Sequence, residues 1–124
     1  EELFESGTFP EPLFSHEAHL RLAWIHLRKY GEAKAIEHIS SQLISYVTQL
    51  GATDKYNHTL TVAAIKSVNH FINKSETDSF LNFIEEFPKL KFQFKALMSQ
   101  HFTTDIFSSE KAKREYIEPD LLAF

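Results

Sequence analysis

The chain has no cysteine, which removes disulfides, thiolate metal sites and cysteine nucleophiles together and makes the reducing cytoplasm the expected setting. Glycine and proline are scarce, three and four among 124 residues. An all-β chain consumes both in its tight turns, so the shortage points to long helices joined by short loops. No apolar run approaches the roughly 20 residues of a membrane span, so the chain reads as soluble, with no membrane as partner. Positive charge is not in excess either: Lys and Arg number 13 against 17 Asp and Glu, a net charge of −4. Nucleic acid is therefore not an expected partner, because a phosphate backbone requires a basic face. The densest cationic stretch, Lys111-Ala112-Lys113-Arg114, is flanked by Glu110, Glu115, Glu118 and Asp120 and reads as a solvated helix. The first residue is Glu1 rather than methionine, which leaves room for a removed upstream segment.

Catalytic signatures are missing as well. There is no glycine-rich phosphate loop, and Ser15 beside His16 is a neighbour pair without the orienting carboxylate and oxyanion donors of acyl transfer. His16-Glu17-Ala18-His19 has one residue too few between its histidines for the zincin arrangement. Glu85-Glu86 and the Glu118, Asp120 pair have no surroundings that would raise a carboxyl pKa for acid catalysis.

What the chain does have is apolar bulk: 43% hydrophobic residues, 14% aromatic, twelve of them Phe. That suits a packed globule and excludes a disordered chain. The length fits one domain over 1–124, with an extended lead at 1–14 and an extended tail at 116–124. In the lead, Leu3, Phe4, Phe9, Leu13 and Phe14 stand among Gly7, Pro10 and Pro12, and the prolines stop a helix there.

Beyond it the periodicity is helical. Ser15 is the expected N-cap of a helix over 16–30 that stops at Gly31. A second helix covers 32–50, with Ile36, Ile39, Leu43, Tyr46, Val47 and Leu50 on one face, His38 on the opposite side and Gly51 as its stop. A third covers 57–73 and buries Val62, Ile65, Val68, Asn69 and Ile72. The fourth, over 77–87 with Thr77 or Ser75 as cap, carries the stripe Phe80, Phe83, Ile84, Phe87 and ends at Pro88. The fifth, over 90–101, presents Leu90, Phe94, Leu97 and His101, and a short sixth begins near Ser108 or Ser109. The expected fold is all-α: a compact bundle of four or five main helices plus a short C-terminal one.

Two polar clusters at helix starts are the functional candidates. In the first helix His16, His19, Ala23, His26 and Tyr30 fall within an arc of about 80°, beside the apolar stripe Leu20, Trp24, Leu27. Spacing by three makes His16 and His19 neighbours on the helix surface. The second cluster is Lys55-Tyr56-Asn57-His58-Thr59-Leu60-Thr61, in which Asn57 can cap the third helix and Thr59 or Thr61 can bond a backbone carbonyl. If both clusters meet at one end of the bundle, His16, His19, Trp24, Tyr56, Asn57, His58, Thr59 and Thr61 would border a ligand pocket. Free amides at the helix start there would favour an anion. A metal at His16, His19 and His58 requires the third helix to start beside the first, and the ligand set is otherwise incomplete.

Three blocks carry a resemblance: Phe14-Ser15-His16-Glu17-Ala18-His19-Leu20 with Ala23-Trp24; Lys55 to Thr61; and Ser109-Glu110-Lys111-Ala112-Lys113-Arg114-Glu115-Tyr116 with Pro119-Asp120-Leu121. They are similar to a family of small bacterial all-helical proteins of unknown function. That family has a His-x-x-His helix near the N-terminus, a Lys-Tyr-His-x-Thr-x-Thr-like block and a Ser-x-x-Ala-Arg segment before Pro-Asp. The likeness spans most of the chain. It implies no activity, but ranks His16, His19, Tyr56, Asn57, Thr59 and Thr61 above His26, His38, His70 and His101. Asn57 stands where the family commonly has histidine, with His58 one place later, which weakens the metal reading. Three functions remain open: a small-molecule binding protein, a non-catalytic interaction module or homodimer held by the apolar lead and tail, and a metal- or histidine-dependent enzyme. Binding is preferred to catalysis, since no activated nucleophile or matched acid and base can be named.

Overall fold

Helix α1 runs His16–Tyr30, with Glu17 in its first turn and Arg28 and Lys29 in its last, each complementing the local end of the helix dipole. It stops because Gly31 takes φ 89° and ψ 174°, a backbone region that side chains other than hydrogen rarely tolerate. Gly31 N–H still reaches Leu27 O at 3.0 Å, while Gly31 O accepts from Ala35 at 3.0 Å, so one residue joins α1 to α2, Glu32–Gln49. At the far end Gly51, φ 68°, lets Gly51 N–H reach Thr48 O and Ala52 N–H reach Val47 O. Such reverse bonds accompany a left-handed terminator. A 3-10 turn, Thr53–Lys55, leads to α3, His58–Ile72.

These three helices are mutually packed, and the other pieces cover them. The structure, a computed structural model, describes residues 16–124; the expected lead and the Ser15 cap lie outside them. Among the described residues there is no strand, and the fold is an all-α, compact bundle. Among the described residues, three helices, α1, α2 and α3, are the long ones.

The later elements are shorter than their periodicity suggests. Helix α4 is Phe80–Glu86 and is capped by Ser79, not by Thr77 or Ser75. Ser75 Oγ accepts from Thr77 N–H and Thr77 Oγ1 from Ser79 N–H, each only two residues on. Those hydroxyls build turns, and the helix waits for the next one. Pro88 disfavours α geometry at Phe87, which takes φ −127° and ψ 68°, and then opens α5, Lys89–Phe92. The expected helix over 90–101 is divided at Gln93, φ −133°, into α5 and α6, Phe94–Ser99. Even so, Leu90, Phe94, Leu97 and His101 are all buried. Helix α7, Glu110–Arg114, is capped by Ser109 and packs on α3.

The tail folds back onto the bundle. Thr59 Oγ1 donates to Glu115 O at 2.7 Å and accepts from Ile117 N–H at 3.0 Å. Leu121 N–H bonds His101 O, His101 Nδ1–H bonds Leu122 O, and Phe124 stacks on the His101 ring at 4.1 Å. His38 also departs from expectation: it is half-buried against the rings of Tyr30 and His26, at 5.0 and 5.9 Å between centroids, instead of lying on the outer side of α2. Leu50, expected on the inner face, is exposed, while Asn69 and Ile72 are half-buried.

Candidate functional site

Because Gly31 and the turn at 50–57 reverse the chain twice, the start of α1, the end of α2 and the start of α3 meet at one end of the bundle. A cavity of about 290 Å³ opens between them. Helix α1 supplies His16, His19, Leu20 and Ala23, and α2 supplies Ile39, Leu43, Tyr46, Val47 and Leu50. The loop and α3 add Lys55, Tyr56, Asn57, Leu60, Thr61, Ala64 and Ile65, and Phe94 and Phe107 close it from the C-terminal half. The wall is chiefly aliphatic and aromatic, with a polar edge where the two clusters come together.

Each polar group on that edge is held by the protein. His16 Nε2 lies 2.7 Å from Leu90 O. A carbonyl only accepts, so Nε2 carries a proton and donates it. The ring also rests against Phe94, centroids 4.6 Å apart. Asn57 is fully committed: Oδ1 accepts from Leu60 N–H at 2.9 Å as the α3 cap, and Nδ2 donates to Ile106 O at 2.7 Å. Thr61 Oγ1 donates to Asn57 O at 2.8 Å. Tyr56 OH and His58 Nδ1 are hydrogen-bonded at 2.8 Å.

Burial sets the protonation here. His19 is pushed down from 6.5 to about 4, chiefly by desolvation and then by the like charge of His16, so it is neutral at pH 7. Burial raises the Tyr56 phenol above its ordinary value, against the pull of the Ser40 and Thr61 hydroxyls.

Five of the eight residues singled out from the sequence therefore line one cavity: His16, His19, Tyr56, Asn57 and Thr61. The other three do not. Trp24 lies eight residues along α1 from His16, about 12 Å by helix rise. There it meets Phe80 edge-on at 5.9 Å and carries Arg28 over its ring at 4.8 Å. Thr59 is wholly buried and is used to anchor the tail. His58 stands behind Tyr56 instead of beside His16 and His19, and among the described residues no group of three His, Asp or Glu is placed to hold a metal ion.

Sequence reasoning missed Tyr46, Phe94 and Phe107 as cavity residues. Tyr46 had a usable signal, a phenol at a core position of α2. The two phenylalanines had none, since they arrive from distant segments through tertiary packing. No family model, no curated protein and no solved structure matches the chain.

Proposed function

We propose that this protein binds a small, mainly apolar molecule in the cavity between α1, α2 and α3. The observation that carries this reading is the cavity itself, about 290 Å³ with an apolar wall and one polar edge. That combination is the usual make-up of a small-molecule site, in which the apolar wall supplies affinity and a few fixed polar groups supply orientation. Recognition fits better than catalysis. His16, Tyr56, Asn57 and Thr61 are each tied by a hydrogen bond to the protein, an arrangement that fixes a group in place and leaves it poorly suited to carrying a proton. The absence of cysteine is in keeping with work in the cytoplasm.

Naphthalene, which has no polar group, is a direct probe of the apolar wall. It is expected to bind the wild-type protein in a calorimetric or ligand-detected NMR titration. Filling the cavity from α3 with Ala64→Phe should weaken that binding roughly tenfold or more, each decade being about 1.4 kcal/mol. Equal binding by wild type and variant, with both folded by circular dichroism, contradicts the proposal.

A second reading, self-association, is favoured by the exposure of Leu81 at 68%, Phe92 at 72%, and Leu121 and Leu122 at 55% each. Apolar side chains left this open are a common mark of a contact surface, and twofold pairing is the usual outcome when a protein associates with itself. Light scattering at micromolar concentration decides it: a dimer mass supports a homodimer, a monomer mass removes it.

A further inference from the structure

Polarity changes once along the depth of the cavity. Its mouth is the end of the bundle where α1 and α3 begin and α2 ends, and there Leu50 and Lys55 are exposed. Descending from the mouth, α1 contributes His16 and His19 and then Leu20 and Ala23. Helix α3 contributes Asn57 and Thr61 and then Ala64 and Ile65. On α2 the last polar group is the Tyr46 phenol, with Leu43 and Ile39 beneath it. Among the described residues, each helix therefore lines the upper part with its polar side chains and the lower part with aliphatic ones alone.

The lower end is also closed. Leu20, Ala23, Ile39, Leu43 and Ile65 are buried, none of them above 8% exposed. A hydroxyl carried to that depth would lose its water and meet no polar side chain, which weakens binding by roughly tenfold or more. At the mouth the same group keeps both solvent and the polar side chains of the upper lining. Phe94 rests against His16, and Phe107 lies 6.3 Å from Phe94, so these rings belong to the upper part. The lower lining is Leu, Ile and Ala, a surface that conforms to an alkyl tail. As to size, an apolar cavity of about 150 Å³ accommodates benzene, so this one, at about 290 Å³, has room for about ten to twelve carbons.

We infer that the ligand is a single-tailed amphiphile with an alkyl chain of about ten carbons, inserted tail first toward Ile39 and Ile65 with its polar head at the mouth. This rests on the cavity being the binding site.

Straight-chain alcohols from hexanol to dodecanol, titrated into the full chain by calorimetry at pH 7, test it. Affinity should rise about fourfold per added methylene until the tail reaches about ten carbons, and then level off, because further methylenes meet no enclosed wall. The isosteric 1,10-decanediol should bind roughly tenfold or more weaker than 1-decanol, since one of its hydroxyls must go to the closed end. Ala64→Leu fills part of the lower cavity from α3 and should move the levelling point to a shorter tail. The inference is wrong, and the cavity reading stands, if naphthalene binds and no alcohol does. It is equally wrong if affinity keeps rising through dodecanol, if the diol binds as tightly as 1-decanol, or if the levelling point is unmoved in folded Ala64→Leu. If neither naphthalene nor any alcohol binds, the cavity reading fails and this inference goes with it.

Discussion

Asn57→Ala is expected to lower stability by about 3 kcal/mol in denaturant unfolding. About 1 kcal/mol is the lost N-cap on Leu60 N–H. The remainder is the Ile106 carbonyl, left without its partner in the interior, at about 1–3 kcal/mol for a buried group unpaired by truncation. Asn57→Asp separates the two contributions, since a carboxylate retains the cap and favours the helix start but has no proton for Ile106 O. It should still lose about 2 kcal/mol. An aspartate variant as stable as wild type would mean that the bond between α3 and the C-terminal half contributes nothing, and Asn57 would revert to a simple cap.

Acidification is expected to have an effect of similar size through one side chain. His19 titrates at about 4 in the fold and near 6.5 in the unfolded chain. Between those values the unfolded chain holds the extra proton, so stability falls as pH falls, and the loss is fully developed by about pH 4. At about 1.4 kcal/mol per unit it reaches about 3 kcal/mol. Its surroundings within the cavity are His16 on the same helix, Tyr56 and Lys55 from the loop, and Tyr46 from α2. His70 contributes in the same direction, being lowered by burial and then by Lys74 and His101. Asp105 and Asp120 are held below the ordinary carboxylate range, chiefly by the hydroxyls of Ser108 and Thr103. Their support is therefore lost only below that range, beneath the window of His19. His19→Gln should flatten the profile between pH 6.5 and pH 4.5. An unchanged slope would show that His19 is not the group responsible.

Asn57, His19 and Thr59 also show how far the sequence could be read. Caps and stops are local: Gly31, Gly51, Asn57, Ser109 and Pro88 act within a few residues of themselves, and each is found where its chemistry placed it. The α4 start went astray because Ser75, Thr77 and Ser79 are all competent caps, and only the backbone turns decide which hydroxyl reaches the third amide onward. The break at Gln93 has neither glycine nor proline to mark it. For the cavity, the meeting of His16 and His19 with Tyr56, Asn57 and Thr61 follows from three helix ends that the glycines bring to one side. Thr59 shows the limit of such reasoning. It lies two residues from Asn57 and two from Thr61, but helix geometry turns it about 200° from each, toward Glu115 and Ile117 and away from the cavity. No property of the 55–61 segment distinguishes a hydroxyl that meets the tail from one that meets the cavity until α7 has docked.

A crystal structure of the protein grown with naphthalene tests the cavity most directly. The predicted result is the fused ring among Leu20, Leu43 and Phe94. Naphthalene bound elsewhere on the surface, with the space between α1, α2 and α3 holding only water, would contradict it.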